Sequence, residues 1–257
     1  MPWAIDAHGL SKTFPGPGRG RPPLTAVDQI DLRVAAGTIV GLLGPNGAGK
    51  TTTFRLLTTL LAPDGGTASV DGFDLRRQAA QVRAHIGLVG QLGGADPDAT
   101  GRENLILAAR LYGLSRRQAV SRCAEVEEAF DLTGFNARIV RTFSGGQRRR
   151  LEIAIGMIHQ PVILFLDEPT TGLDPQNRAN LWDQVRALRQ QGVTIVLTTH
   201  YLDEADALAD QLYVVDHGQV IAQGSPTDLK RAHDTDSLEA VFLGLTGRAL
   251  RDNGDLL

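Results

Sequence analysis

A glycine-rich segment between two differently patterned stretches places the strongest limit on how this chain folds. The segment GPNGAGKT at residues 44–51 follows the apolar run GTIVGLL and opens a helix-like stretch. It fits the pattern G-x-x-x-x-G-K-[ST], in which glycines let consecutive backbone N–H groups point at an anion and the following helix directs its positive end at the same place. The sequence therefore predicts a strand, a phosphate-binding loop and a helix in succession.

Other apolar runs predict that this strand belongs to a mostly parallel sheet. They lack polar alternation, which is typical of strands covered on both faces, and they occupy residues 37–44, 85–91, 162–167, 193–200 and 211–216. Helix-like stretches lie between them, at residues 51–61, 101–111, 115–130, 145–158, 176–190 and 202–209. Alternating strands and helices indicate an α/β fold, here with a P-loop NTPase core.

Departures from that alternation predict the domain organisation. Three successive helix-like stretches interrupt it, so residues 92–159 are interpreted as an inserted helical subdomain. The core then comprises residues 1–91 and 160–230, which together with the insert form one nucleotide-binding domain.

The remaining segments complete that organisation. The first residues and TASVDGFDL at 67–75 predict short strands with turns, which would form an antiparallel β flank. PGPGRGRPP at 15–23 predicts a surface loop. Residues 231–257 form a C-terminal extension, in which 237–250 carries apolar residues at helical spacing.

Composition narrows the possible functions. The formal net charge of -3 argues against a dedicated nucleic-acid binder. A single cysteine, Cys123, excludes an internal disulfide, which fits a reducing cytoplasm. The N-terminus lacks the pattern of a signal peptide, and the longest apolar runs fall far short of the ~20 residues that a spanning helix needs. We therefore expect a chain that does not cross a bilayer but can dock on a protein that does.

The glycine-rich segment supplies a candidate nucleotide site. Lys50 is suited to reach the β- and γ-phosphates of a nucleotide, and the Thr51 hydroxyl is suited to ligate Mg²⁺. The alternative is a glycine-rich strand–helix turn that binds nothing. The predicted nucleotide-binding residues of this segment are Gly44, Pro45, Asn46, Gly47, Ala48, Gly49, Lys50, Thr51 and Thr52.

Two acids at the end of an apolar strand supply the candidate chemistry. The run VILFLDEP places Asp167 and Glu168 at a carboxyl strand end, which is where α/β sheets bind ligands. Asp167 is suited to hold Mg²⁺ through water, and Glu168 is suited to polarise an attacking water. The alternative is a solvated pair of acids at a strand end.

The motifs in their order resemble those of the ATP-binding cassette (ABC) ATPases. The set comprises GPNGAGKTT, Gln91 after a strand, FSGGQ at 143–147, LFLDEP at 164–169, TGLD at 171–174 and TTH at 198–200. The resemblance covers the chain from about Ile5 to Asp228. Phe143 stands where the family usually has leucine, which keeps an apolar anchor and leaves the SGGQ sequence intact.

The resemblance implies that one ATP is bound between two chains. In this family two domains associate head to tail, and the FSGGQ segment of each serves the nucleotide on the other. Phe143, Ser144, Gly145, Gly146 and Gln147 would therefore face the partner's ATP. The chain is expected to act as a dimer, and a homodimer with two-fold symmetry satisfies both sites.

The resemblance also assigns roles to residues outside these segments. Phe14 would stack on adenine, with a core aromatic as the alternative. Gln91 would contact Mg²⁺ or the attacking water, with a plain strand-end cap as the alternative. His200 would contact the γ-phosphate, with a structural strand-end histidine as the alternative, and Asp174 would lie at the dimer interface. The implied substrate is ATP and the implied metal is Mg²⁺.

Two further features have a simple interpretation. The charged run QRRRLE at 147–152 could indicate nucleic acid, but it is interpreted as the solvated first part of a helix in which Glu152 pairs with an arginine. Cys123 is interpreted as a partly buried helix residue without chemistry.

The sequence around FSGGQ and the C-terminal segment resemble the ATPase subunits of bacterial drug exporters of the daunorubicin-resistance type. The implied protein lies on the cytoplasmic face of the membrane and powers efflux of a drug-like or hydrophobic compound through separate membrane permease subunits. The alternatives are a soluble ABC ATPase acting on DNA or ribosomes, a GTPase and a non-hydrolysing partner. The chain has no long coiled coil, no second cassette and no N-K-x-D sequence, and Glu168 and His200 are intact.

Overall fold

The computed structural model describes residues 3–16, 22–91 and 93–247. The strands within these ranges are β1 (Trp3–Phe14), β2 (Leu24–Ala35), β3 (Ile39–Leu43), β4 (Gly65–Val70), β5 (Phe73–Asp74), β6 (Ile86–Val89), β7 (Ile163–Asp167), β8 (Thr194–Thr199), β9 (Gln211–Asp216) and β10 (Gln219–Gly224). The α-helices are α1 (Lys50–Leu57), α2 (Ala79–His85), α3 (Gly101–Leu111), α4 (Arg116–Ala129), α5 (Gly145–Gly156), α6 (Pro175–Gln190), α7 (Leu202–Leu208), α8 (Pro226–Ala232) and α9 (Leu238–Thr246).

A mostly parallel sheet forms the centre of the molecule. Its strand order is β10-β9-β3-β8-β7-β6, and only the β9–β10 pair is antiparallel among the pairings described. Every residue of β3, β7 and β8 is buried, which explains why these strands read as continuous apolar runs. The predicted α/β class is confirmed.

A second sheet confirms the predicted antiparallel flank. Its order is β2-β1-β4-β5, and each neighbouring pair runs antiparallel. The buried residues of β1 and β2 share a core with α1 and with one face of the parallel sheet. Helix α1 therefore starts from the parallel sheet and packs toward the antiparallel one, which fixes the position of the loop that precedes it.

The opposite face of the parallel sheet shares a different core with the helical segment. Apolar residues of α3, α4 and α5 pack with Leu164, Ile195 and other residues of the central strands. Helices α3, α4 and α5 each begin with a capping box, in which a serine or threonine and the third helical residue satisfy each other's backbone N–H groups. These helices lie between β6 and β7 in the chain, within the predicted insert; the division into subdomains stays a prediction.

Several boundaries differ from the predictions. Helix α1 ends at Leu57 rather than at residue 61, because Thr59 adopts a left-handed conformation with φ +61°. Helices α2 and α8 and strands β2 and β10 were not predicted. Helix α8 straddles residue 230, where the extension was expected to begin, and the SPTD sequence that caps it is a recognisable helix start.

Two predictions extend beyond the described residues. The surface loop expected at 15–23 includes residues 17–21, and the C-terminal helix expected at 237–250 includes residues 248–250; both sets lie outside the described ranges. Within those ranges the helix is present as α9, and it shares a third core with α7, α8 and one face of β9.

Candidate active site

Neighbouring strands of the parallel sheet end at the same edge, and predicted site residues follow their ends. Strands β3, β8, β7 and β6 are adjacent and mutually parallel. Leu43 pairs with Thr199, and Asp167 pairs with Thr198, so the ends are level. The residues that leave this edge include Gly44, Glu168, His200 and Gln91. Carboxyl ends of parallel strands are where α/β sheets bind ligands.

Close approaches of the backbone shape the glycine-rich loop. A Cβ atom on Gly44 would lie 2.1 Å from the Val215 carbonyl oxygen, and one on Gly49 would lie 2.3 Å from the Ala26 carbonyl oxygen. Gly49 also has φ +104°, and as the N-cap of α1 it provides no side-chain hydrogen bond. The first N–H groups of α1 are thus left without a side-chain cap, an arrangement suited to an anion.

The Lys50 side chain lies over this loop. It is 4% exposed, and its ammonium donates hydrogen bonds to the carbonyls of Gly44 at 2.7 Å and Pro45 at 3.0 Å. Burial lowers the pKa of Lys50, while Glu168 and Asp167 oppose that shift. A bound phosphate would add negative charge beside this ammonium and favour its charged form.

Asp167 and Thr51 supply oxygen atoms at one point of the edge. The Thr51 hydroxyl lies 3.4 Å from Asp167 Oδ1, and the Thr198 hydroxyl donates to the same oxygen at 2.5 Å. Hydroxyl and carboxylate oxygens fit Mg²⁺, which protein sites hold through one or two carboxylates together with substrate phosphates. No cluster of three or more His, Cys, Asp or Glu side chains that could hold a metal occurs among the described residues.

Glu168 lies at the centre of the edge in an unusual backbone conformation. Its φ is +45°, a left-handed value that costs a non-glycine residue about 1–2 kcal/mol. Its N–H donates to the Thr198 carbonyl at 3.2 Å and to the Thr198 hydroxyl at 3.0 Å, which holds that conformation in place. Strained backbone of this kind is common at functional sites.

The Glu168 carboxylate brings several predicted residues together. His200 Nδ1 lies 3.2 Å from Oε1, a close contact without hydrogen-bond alignment; Gln91 Nε2 and the Thr171 hydroxyl lie 3.2 and 3.3 Å from Oε2. Lys50 Nζ lies 3.9 Å from Oε1. The neighbouring His200 is the largest cause of a lowered pKa for Glu168, and burial opposes it. The lowered pKa therefore favours the ionised carboxylate at neutral pH.

The SGGQ segment begins α5 in a different manner. The Ser144 hydroxyl accepts a hydrogen bond from the Gln147 N–H, and the Gln147 side chain accepts one from the Ser144 N–H. A Cβ on Gly146 would lie 2.1 Å from Asn177 Oδ1, whereas one on Gly145 would meet only the Leu173 side chain at 3.6 Å. Ser144 and Gly145 are exposed, so this helix start faces outward.

Residues on either side fix that segment in place. Phe143 is buried, with its ring 5.0 Å from that of Phe135 in an edge-to-face contact, so its side chain anchors the segment. Asp174 caps α6 by accepting from the Asn177 N–H at 2.9 Å, and this hydrogen bond is the largest cause of its lowered pKa. Phe143 lies in the core shared by the helical segment, and Ala48 lies in the core shared by the two sheets. The two glycine-rich segments are thus parts of different cores.

Phe14 lies at the end of the β1–β2 ladder. It pairs with Leu24, and the Lys12 ammonium lies 5.8 Å from the centre of its half-buried ring. Ala26, two residues beyond Leu24, has the carbonyl that Gly49 approaches. This end of the ladder is therefore near the glycine-rich loop, and the role of Phe14 toward adenine stays a prediction.

Sequence reasoning missed Thr198 and Thr171, although both lie within quoted motifs. It was wrong about the charged run at 147–152: Arg149 and Glu152 are 7% and 8% exposed rather than solvated. The expected pairing of Glu152 with an arginine is present, since Arg149 Nη1 donates to Glu152 Oε2 at 3.1 Å. Cys123 is fully buried on α4 rather than partly buried, and burial raises its pKa to about 12, which fits the expected absence of chemistry.

Comparison with known proteins places this geometry in a family. The family model described as ABC transporter matches residues 27–171. The daunorubicin/doxorubicin resistance ATP-binding protein DrrA of Streptomyces peucetius is 51% identical over 227 residues, which cover 88% of this chain and 67% of that protein. The Nod factor export ATP-binding protein I of Paraburkholderia xenovorans (strain LB400) is 44% identical over 205 residues, which cover 80% of this chain and 67% of that protein.

A solved structure shares the whole fold. It is the structure of an ATP binding subunit of an ABC transporter, with a TM-score of 0.80 and 27% identity over 95% of this chain and 99% of that chain. Within the described ranges of the present chain, no helix has both the length and the apolar character needed to cross a membrane.

Proposed function

This chain belongs to the ABC transporter family, and from that membership we propose that it is the ATP-binding and ATP-hydrolysing subunit of an exporter. The observation that carries the proposal is the convergence of Lys50, Glu168 and Gln91 at one sheet edge, beside the uncapped start of α1. A phosphate-binding loop and an ionised carboxylate at the same place suit attack of water on a terminal phosphate.

ATP binding uses the glycine-rich loop. The N–H groups at the start of α1 cradle the phosphates, and Lys50 turns from the loop carbonyls to the β- and γ-phosphates. Phe14 stacks on the adenine. Thr51, Asp167 and Gln91 would hold Mg²⁺, which supplies positive charge to the phosphate oxygens.

Hydrolysis uses the residues around Glu168. Its carboxylate accepts a proton from the attacking water, because it is ionised and lies next to the strand end where the γ-phosphate would be bound. Gln91 orients that water, and His200 contacts the γ-phosphate. The left-handed backbone of Glu168 fits the placement of its side chain beside Lys50, Gln91 and His200.

The SGGQ segment serves a nucleotide on another copy of the chain. Its exposed helix start and its position in a different core support this arrangement. Two chains in head-to-tail association then form two composite sites, each with one loop and one SGGQ segment. Asp174 lies at their interface.

Membrane transport is the purpose of this hydrolysis. ABC transporter ATP-binding proteins work with membrane permease subunits, and the relatives named above are a drug-resistance protein and an export protein. The present chain powers efflux of a drug-like or hydrophobic compound from the cytoplasmic face of the membrane. Helices α3, α4 and α5 form the helical subdomain that passes the motion of the dimer to the permease.

ATP turnover tests the enzymatic part of the proposal. Glu168→Gln keeps the shape of the side chain but removes the base, so kcat should fall about 10²–10⁴-fold while ATP binding persists and a closed dimer accumulates. Glu128→Gln is the control, because Glu128 is an exposed acid on α4. Turnover by Glu168→Gln at the parent's rate would show that Glu168 is not the base.

Co-purification tests the transport part. The Glu168→Gln protein, isolated in detergent with ATP from the native cells, should retain a multi-spanning membrane protein in near-equal amount by mass spectrometry. Ribosomal proteins or a DNA-bound complex in its place would leave the ATPase chemistry intact and overturn the exporter assignment.

A further inference from the structure

A buried ion pair lies in the helix that follows the SGGQ sequence. Arg149 and Glu152 on α5 are each less than 9% exposed, and their charged groups are 3.1 Å apart. Buried ion pairs contribute little net stability, because desolvation of both charges offsets their attraction. Stability alone is therefore a weak explanation for this pair.

The Arg149 guanidinium connects α5 to two loops at the carboxyl edge of the parallel sheet. One loop contains Glu168 and the other contains Gln91. Its Nε donates to the Pro169 carbonyl at 2.8 Å, and its Nη2 donates to the Asp167 carbonyl at 3.2 Å. These two carbonyls flank Glu168 in the chain. Its Nη1 donates to the Gly90 carbonyl at 3.0 Å, directly before Gln91.

Glu152 contacts the same region from the other side. A Cβ on Gly93 would lie 2.0 Å from Glu152 Oε1, so the carboxylate is packed against the loop that follows Gln91. Gly93 has φ +74°, a conformation that glycine adopts without strain. The pair thus contacts backbone on both sides of Gln91 and on both sides of Glu168.

We propose that Arg149, held by Glu152, is a positioning residue that keeps the Gln91 and Glu168 loops in a fixed relation to the SGGQ helix. This inference rests on the proposed ATPase function. The part of the chain that grips the partner's ATP is thereby joined to the part that hydrolyses the chain's own ATP. Neither Arg149 nor Glu152 touches the nucleotide.

The geometry requires a guanidinium in particular. All three side-chain nitrogens of Arg149, which form a planar fork, donate to carbonyls: two in the Glu168 loop and one directly before Gln91. A lysine ammonium is a compact charge on a flexible stem and cannot reproduce this fork. Arg149→Lys should therefore bind ATP normally and hydrolyse it slowly.

The experiment measures kcat and KM for ATP in the full chain. A single change at Arg149 can leave Glu152 buried without a partner, so the main variant is the double change Arg149→Met with Glu152→Met, which removes both charges and retains apolar volume. We expect a melting temperature near the parent's, KM within about twofold, and kcat reduced about 10–100-fold through misplaced catalytic groups. Arg148→Met is the matched control, because Arg148 is the exposed neighbour on the same helix.

Parental kcat in the double variant, with Glu168→Gln inactive in the same assay, would overturn the positioning role and leave the ATPase function intact. A rise in KM together with a fall in melting temperature, with kcat unchanged, would also overturn it, because that pattern is expected of a purely structural pair. Failure of the proposed function looks different: the parent chain itself would not turn over ATP.

Discussion

The two glycine-rich helix starts, at α1 and at α5, differ in how their glycines are used. At α1 the glycines are demanded by the fold: Gly44 and Gly49 each approach a carbonyl oxygen too closely for any side chain, and no side chain caps the helix. At α5 the helix is capped by its own Ser144 and Gln147. A Cβ on Gly146 would still clash with Asn177, but one on the exposed Gly145 would make only an ordinary contact with Leu173 at 3.6 Å.

This difference indicates which molecule each segment is suited to bind. The start of α1 is enclosed by its own chain and leaves its N–H groups for a ligand bound there. The start of α5 is complete within its own chain and exposes small residues outward, which suits close approach of a second molecule. The comparison therefore supports the proposal that one segment binds the chain's own nucleotide and the other binds the partner's nucleotide.

Gly145→Asp should have the largest effect, and it tests the second segment alone. An acid at this exposed first position suits the helix dipole and should leave stability unchanged, but it repels a partner's phosphate. We expect ATP binding by the isolated chain to stay within twofold of the parent's, and turnover to fall about 10²–10³-fold, as when a charge-stabilising donor is lost. Fluorescent-nucleotide binding and steady-state ATPase assays check this. A parallel loss of binding would contradict the division of roles.

Gly49→Ala should lower both the stability of the fold and the ATP affinity of the first segment. The added Cβ meets the Ala26 carbonyl oxygen, and φ +104° strains any L-residue, so the free energy of unfolding should fall by about 3 kcal/mol. ATP affinity falls with it. Gly47→Ala is the control, because its φ of +80° is strained but its Cβ would meet no atom within 4 Å. Urea denaturation should separate the two variants; equal values would remove the close contact as the cause.

Ser144→Ala should have a smaller effect, confined to the second segment. The serine hydroxyl caps the Gln147 N–H, and loss of such a cap costs about 1 kcal/mol of stability. Ser144→Thr retains the hydroxyl and serves as the control. Chemical denaturation of both variants checks the expected order; a Thr variant as unstable as the Ala variant would argue against the cap.

The smallest expected effects concern pH. Glu204 and Asp174 should change the stability of the protein in opposite ways as the pH varies. Burial raises the pKa of Glu204, which follows His200, whereas hydrogen bonds from Asn177 lower the pKa of Asp174 beside the SGGQ segment. An acid with a raised pKa, such as Glu204, lowers stability as pH rises above the ordinary pKa of 4.5. An acid with a lowered pKa, such as Asp174, contributes stability that is lost as pH falls below the ordinary pKa of 3.8.

The corresponding variants are Glu204→Gln and Asp174→Asn. Glu204→Gln should raise the melting temperature at pH 8, and the gain should shrink as the pH approaches 4.5. Asp174→Asn should lower it at neutral pH, and the loss should shrink as the pH falls below 3.8. Thermal melts across this range check both signs; curves parallel to the parent's would contradict them.

The sequence was sufficient for the α/β class and for the prediction that Gln91, Glu168 and His200 follow strands that end at one edge of the sheet. The central strands β3, β7 and β8 are buried on every residue, so their apolar runs could be recognised without knowing their partners. Glu168 and His200 directly follow such strands, and Gln91 lies two residues beyond the end of β6, so a parallel sheet brings them together.

Burial of the charged run could not be predicted in the same way. Arg149 belongs to a sequence, QRRRLE, that was interpreted as a solvated helix surface because Glu152 can pair with an arginine one helical turn earlier. Its burial depends on carbonyls of Gly90, Asp167 and Pro169, which only the folded sheet brings around it. Thr198 was missed for a related reason, since its contacts with Asp167 and Glu168 arise from strand register.

Mixing two inactive variants tests whether the two segments serve one nucleotide across two chains. Lys50→Ala removes the loop's cation, and Gly145→Asp blocks the SGGQ segment; each homodimer then has two damaged sites. A mixed dimer has one site with both defects and one intact site. Equal mixing should restore about a quarter of the parent's sites, and ATPase activity in proportion. Activity no greater than the sum of the separate variants would contradict shared sites. It would indicate that both segments act on a nucleotide within one chain.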